Sequence, residues 1–351
     1  MLKLWDRPNR FIQQECCMFS ARDEVQLMFP VETIMRITTP ATGKEYFPGV
    51  DFEYTPGSRT IRRLPGSSMP YIPESMMRPG EDAVCYPESN ARAVIGACDG
   101  GRLFFNNENF FAENQISVDY RAVAVDFDPE LDHQSDRLPL FRKKLKDRNA
   151  VRVMLLGDSI SEGFNATAYT GCEPFSPPYI EQTTRYLSDR FRAKIDLLNH
   201  AVEGTGCVFA ESNARVWVKD RPDLLIIAYG MNDFSKMTGE EFIERNKNMI
   251  RSCRQLSPEC EIVLLASMTG HPFWEPTKPG RDAEFAVAAR DFVAASGRDI
   301  AIADVQKVWK KFLERKDFYD LSGNGVNHPN DYGHRIYASV LLHLLAGAEM
   351  F

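Results

Sequence analysis

Apolar and polar positions follow two different rhythms along this 351-residue chain. Up to about residue 125, short runs alternate apolar with polar: QLMF (26–29), TIMRIT (33–38), DFEYT (51–55), TIRRL (60–64), RLFF (102–105) and QISVDYRAVAV (115–125). A period of two, rich in β-branched and aromatic residues, is the signature of half-buried strands. TPATGK, YTPGS and CDGG supply turn chemistry between the runs, and LPGSSMPYIPESMMRPGE (64–81), with four prolines, reads as mostly irregular. The pattern predicts an all-β sandwich for residues 1–126, followed by a polar linker over 127–149.

From Val151 the rhythm changes. Continuous apolar runs lie at 151–156, 195–198, 224–229, 261–266 and 300–303. Helical patterns separate them: Tyr179 to Arg192, a helix opened by a Thr238/Glu241 capping box and running to Leu256, Ala283 to Ala295, and Tyr332 to Leu345. Strands apolar on both faces, alternating with helices, predict an α/β domain over 150–351 with a five-stranded parallel sheet covered on both sides.

Charge and composition narrow the function classes. A net charge of −7 argues against nucleic acid as the main partner, and RKKLK at 142–146 reads as a solvated piece of linker. No apolar run reaches membrane-spanning length, so no membrane partner is expected. MLKLWDRPNRF has no apolar h-region, which makes a cytoplasmic location the default. None of the eight cysteines falls in a C-x-x-C spacing; Cys16 and Cys17 read as reduced filler. The six histidines (133, 200, 271, 328, 334 and 343) show no ligand-like spacing, so no metal and no cofactor is expected.

In a parallel α/β sheet, sites form beyond the carboxyl ends of the strands. The segments there are GDSISEG (157–163), NHAVEGTG (199–206), YGMND (229–233) and, near the C-terminus, NGVNHPNDYGH (324–334). Ser159 is a candidate nucleophile just past a strand, and His328 a candidate base. The N–H groups of Ser159 and Gly204 and the amide of Asn232 are candidate oxyanion donors. Singly, each reads more readily as a cap, a turn residue or a loop glycine than as a catalytic group; their order along successive strand ends gives the set its weight.

These four blocks resemble those of the SGNH hydrolase superfamily, the GDSL-type esterases and lipases. Asn199 and Gly204 keep the N-x-x-x-x-G spacing of the oxyanion block, and His328 precedes Pro329 as in the histidine block. The resemblance implies a flavodoxin-like α/β/α domain and metal-free serine ester hydrolysis, with Ser159 as nucleophile, His328 as base and Ser159, Gly204 and Asn232 around the oxyanion. One position departs. The family usually carries Asp three residues before the histidine, and here that residue is Gly325. The local candidates for orienting His328 are Asn324, Asn327 and Asp320; Asp320 and a backbone carbonyl rank equally, Asn327 is third, and Asp304 is more distant. His334, six residues on in a predicted helix, reads as structural.

An N-terminal β half before such a domain resembles carbohydrate esterases in which a jelly-roll precedes the catalytic domain. This implies a saccharide ester as substrate and acetyl as the acyl group; a supporting or interface role for the β half has equal weight. Trp274, in the Pro/Gly loop 267–280, reads equally as a sugar-stacking residue or a core cap, and Asn165, Tyr169 and Phe175 lie beyond the nucleophile. A lipase or thioesterase on the same machinery, or an inactive sugar-binding protein, are the alternatives. The sequence leaves the oligomeric state open.

Overall fold

A computed structural model describes residues 4, 5, 9–86, 88, 94–132, 134–277 and 280–347; His133 and residues 1–3 and 6–8 of the opening stretch lie outside them. The N-terminal half is built of antiparallel sheets. Its strands are β1 (Phe11–Cys17), β2 (Glu24–Gln26), β3 (Val31–Thr39), β4 (Lys44–Tyr46), β5 (Phe52–Tyr54), β6 (Thr60–Arg63), β7 (Val94–Gly96), β8 (Arg102–Phe104) and β9 (Ile116–Ala122). They pair in the orders β1-β9-β3-β4, β2-β6-β5 and β7-β8. On β9 the alternation is kept in space: Ile116, Val118, Tyr120 and Ala122 are buried and the residues between them are more exposed.

The second half is a five-stranded parallel sheet of β10 (Val151–Gly157), β11 (Ile195–Asn199), β12 (Leu224–Ala228), β13 (Glu261–Ala266) and β14 (Ile300–Asp304), in the order β11-β10-β12-β13-β14. Every residue of β12, β13 and β14 is buried, as expected of strands covered on both faces. The helix Tyr179–Phe191 packs on Asp331–Ala346, and Gly239–Leu256 packs on Arg281–Ala294. The Thr238/Glu241 capping box is present at the start of Gly239–Leu256.

Three features go beyond the sequence pattern. The strand β1, FIQQECC, carries too many polar residues to stand out by alternation. The helix Val305–Leu313 buries Val305, Val308, Trp309 and Phe312, a clean i, i+3, i+4, i+7 face. Within 127–149, residues Pro139–Lys146 form a helix that buries Phe141 and Leu145, with Leu138 buried just before it. The lysines of RKKLK mask this apolar stripe in the sequence. Glu261, buried at the start of β13, accepts the N–H groups of Leu140 (3.1 Å) and Phe141 (2.7 Å) at the open end of that helix.

The two halves share one apolar core, and a buried ionic cluster lies in the seam between them. Lys316 Nζ sits 3.0 Å from Glu15 Oε1 of β1 and 3.3 Å from Asp320 Oδ2, and donates to the carbonyl of Gln26 at 2.7 Å. All eight cysteines are free thiols. Among the described residues, no helix is long and apolar enough to cross a membrane.

Candidate active site

The Ser159 turn starts where β10 runs out beside β12. A Cβ on Gly157 would lie 2.3 Å from Ser161 Oγ and 3.2 Å from the carbonyl of Ala228, so only glycine fits at the strand end. Asp158 caps the short helix Ser159–Glu162, its Oδ1 accepting from Ile160 N–H at 3.0 Å. Burial, with Asp233 nearby, pushes the Asp158 carboxyl up to about 7. Ser159 is the first residue of that helix, and its Oγ lies 2.9 Å from His328 Nε2.

His328 reaches this point from a loop that folds on itself. The side-chain oxygen of Asn324 accepts the N–H groups of Val326, Asn327 and His328 at 2.9, 2.9 and 3.0 Å. Gly323 N–H donates to the carbonyl of His328 at 2.9 Å and closes the loop. The other ring nitrogen, Nδ1, lies 2.8 Å from Asn165 Oδ1. Asn165 Nδ2 donates to the carbonyl of Asn107 at 3.2 Å, which turns the amide oxygen toward the ring. Nδ1 therefore carries the proton, and Nε2 is free to accept from the serine hydroxyl. Ser159, His328 and Asn165 are all buried. Burial, helped by His334, pulls the imidazole down to about 3, so the ring is neutral.

Asp320, a candidate for orienting His328, does not meet it. Its carboxylate accepts from Met18 N–H at 2.8 Å and Asp317 N–H at 3.1 Å, and faces Lys316 in the seam. The buried lysine and the cap it forms at Asp317 hold it away from the histidine. Asp304 caps Val305–Leu313 and pairs with Arg290 at 2.7 Å. Asn327 accepts from Asn324 Nδ2 at 2.9 Å, within the loop. The residue that does face Nδ1 is Asn165, which lies past the helix Ser159–Glu162 and carries no local signal of that placement. His334 is fully buried in its helix, 3.2 Å from the carbonyl of Phe164, as a structural residue would be.

Gly204 and Asn232 sit in the loops after β11 and β12. Glu162 Oε2 accepts Glu203 N–H at 2.8 Å, tying the Gly204 turn to the nucleophile helix. Asp233 accepts Cys207 N–H at 3.1 Å from the other side. One N–H of the Asn232 amide donates to the Thr205 carbonyl at 2.9 Å, which leaves its second donor free of that bond.

The N-terminal half holds the histidine loop. Asn106 N–H donates to the Asn324 carbonyl, and Asn324 Nδ2 donates to Asn107 Oδ1, both at 3.2 Å. Gln115 Nε2 donates to the carbonyls of Tyr319 (2.7 Å) and Ser322 (2.8 Å). Beside the site, Phe164 meets the His328 ring edge-on at 5.4 Å, and the exposed Tyr169 packs on Phe164 at 4.8 Å. A groove runs from there along Asn107, Glu108, Asn109, Phe110 and Glu113. Trp274 is only 8% exposed and packs in the core, whereas Phe273 is 45% exposed with Arg78 over its ring. Of its two readings, Trp274 is a core cap.

Residues 155–336 match the family model described as GDSL-like Lipase/Acylhydrolase. The chain belongs to that family. Among solved structures, this GDSL-like protein is similar to a putative GDSL-like lipase from Parabacteroides merdae, at 19% identity over 56% of this chain and 95% of that one, with a TM-score of 0.46. It is similar to an acetylxylan esterase from Geobacillus stearothermophilus, at 16% identity over 56% and 94%, with a TM-score of 0.45. A two-domain esterase active on acetylated mannans matches at 21% identity over 59% of this chain and 53% of that one, with a TM-score of 0.45. No curated protein matches the sequence.

Proposed function

We propose that this GDSL-family protein is a serine ester hydrolase that removes small acyl groups, acetyl foremost, from a carbohydrate. The observation that carries the reading is the 2.9 Å contact between Ser159 Oγ and Nε2 of a buried His328 that burial keeps neutral. It supports turnover over a role in binding alone. Ser159 Oγ attacks the ester carbonyl as His328 Nε2 takes its proton. The tetrahedral oxyanion is received by the N–H groups of Ser159 and Gly204 and the free N–H of Asn232. His328 returns the proton to the departing sugar oxygen, and an acyl-Ser159 remains. Water, deprotonated by His328, attacks the acyl carbon; the acyl–Oγ bond breaks, His328 returns the proton to Ser159 Oγ, and the carboxylic acid leaves.

The surroundings favour a polar substrate. The groove that runs from Tyr169 is lined by Asn106, Asn107, Asn109, Glu108 and Glu113, with Phe110 and the exposed ring of Tyr169 among them. Amides that pair with hydroxyls and a ring face that stacks suit a sugar better than a fatty acyl chain, which needs a continuous apolar wall.

The test is hydrolysis of p-nitrophenyl esters of increasing chain length, together with acetate release from acetylated oligosaccharides, for the wild type, Ser159→Ala and His328→Ala. Acetyl turnover lost in both variants is the expected result. Retained turnover in folded Ser159→Ala would overturn the reading, and a preference for long chains would replace the carbohydrate assignment with a lipase.

A further inference from the structure

We propose that Asn165 is the positioning residue of the base, an uncharged amide in the role that a carboxylate plays in the family, and that the N-terminal half locks it there. The inference rests on reading Ser159 and His328 as the reacting pair. Three observations carry it.

The first is the pair of bonds to the amide. Its oxygen accepts from His328 Nδ1–H at 2.8 Å, and its nitrogen donates to the Asn107 carbonyl at 3.2 Å. The second bond removes the two-fold ambiguity of an amide. Flipped, Asn165 would set Nδ2 against Nδ1–H and Oδ1 against a carbonyl, two mismatches in a buried place. Asn107 thus selects the imidazole tautomer through Asn165.

The second is the backbone. Asn165 has φ +61°, in the left-handed region that Asn adopts more readily than most residues. Its Cβ lies 2.5 Å from where a side chain on Gly323 would begin, so the histidine loop is shaped around it.

The third is the fate of the position that the family gives to Asp. Gly325 has φ +84°, and a Cβ there would lie 2.6 Å from Phe111 Cζ and 2.8 Å from the carbonyl of Phe104. Both belong to the N-terminal half, which fills the space of the missing side chain. The same half that displaces the carboxylate supplies Asn107, which fixes its replacement.

An amide accepts the hydrogen bond but lends no negative charge to the imidazolium that forms during acyl transfer. The titratable group acting on His328 is His334, from the last helix, and it too disfavours the cation; Phe164, Asn165 and Ser159 are neutral. The base therefore works without a counter-charge.

The experiment compares pH profiles of kcat and kcat/KM for the wild type, Asn165→Ala, Asn165→Asp, Ser159→Ala and His328→Ala on p-nitrophenyl acetate, with thermal unfolding of each. In Asn165→Ala, kcat is expected to fall by about 10²–10⁴-fold, the scale of a positioned proton transfer, with KM little changed. In Asn165→Asp the carboxylate favours the imidazolium, and the acid limb of kcat/KM is expected to rise by about 1–3 pH units. Asn165→Ala with unchanged kcat, or a folded Asn165→Asp with an unmoved acid limb, overturns the proposal while Ser159→Ala and His328→Ala are inactive. If Asn165→Ala does not fold, the Asn165→Asp limb decides alone. If Asn165→Asp does not fold either, and ¹⁵N NMR of the wild type finds the His328 proton on Nε2, the proposal is wrong; a proton on Nδ1 upholds it. Activity retained in Ser159→Ala or His328→Ala instead overturns the reading of the reacting pair.

Discussion

Asp320 and His328 lie eight positions apart, yet their side chains belong to separate hydrogen-bond systems. Asp320 faces Lys316 at 3.3 Å in the seam between the halves, and His328 faces Ser159 and Asn165 in the site. Asp320→Asn is therefore expected to leave kcat of the folded enzyme unchanged while lowering its stability. Steady-state kinetics beside thermal unfolding check this; a large fall in kcat without unfolding would return Asp320 to the site.

Lys316 is the costlier residue to remove. Fully buried, it neutralises Glu15 of β1 and Asp320 together. Lys316→Met leaves two buried carboxylates facing each other without a cation, and about 3–5 kcal/mol of stability is expected to go with it. Urea unfolding measures the difference, and a loss under about 1 kcal/mol, the scale of an exposed pair, would mean that water reaches the seam.

Restoring a side chain at Gly325 is expected to harm the protein. With φ +84° and only 2.6 Å between a Cβ and Phe111, Gly325→Ala strains the backbone and collides with the N-terminal half. A destabilisation of about 1–3 kcal/mol is expected, and Gly325→Asp should be worse rather than gain activity. Denaturation midpoints for the two variants, read beside esterase rates, decide it.

Asn232→Ala is expected to lower kcat by about 10²–10³-fold, the usual loss for one oxyanion donor. The Asn232–Thr205 bond also disappears in this variant, so its thermal unfolding is to be read beside the rate. An unchanged rate in Asn232→Ala would take the residue out of the oxyanion site.

The acid dependence of stability follows from two sets of buried groups with opposite signs. Burial lowers His271, His328 and His334 to about 4, 3 and 4. Below their ordinary value near 6.5 the unfolded chain binds protons that the folded one refuses, so this set stabilises above about pH 6.5 and loses its contribution as pH falls toward 4. Burial raises Asp158 and Asp331 to about 7 and 6. The folded chain then keeps protons that the unfolded one releases, so this set contributes fully below about pH 4 and loses its contribution as pH rises through 6 to 7. The slopes oppose each other, and Tm is expected to change little between pH 4.5 and 6. A steep fall in Tm on acidification would show that these two carboxyls are ionised in the native state.

The sequence by itself determined the strand–helix alternation of residues 150–351, its five strands, the Thr238 cap, the placing of Ser159, Gly204 and Asn232 past strand ends and that of His328 ahead of the last helix. These are local properties: continuous burial, helical periodicity and turn chemistry act over neighbours in the chain. It also marked Gly325 as a departure, but not what compensates for it. Only the tertiary structure decided that Asn165 faces His328 across 163 positions, that Asp320 is held by Lys316, and that Asn107 and Gln115 of the β half build the histidine loop. A hydrogen bond between distant segments leaves no period and no spacing in the chain. It exists because the core shared by the two halves brings their loops together, and buried polar groups there must then find partners.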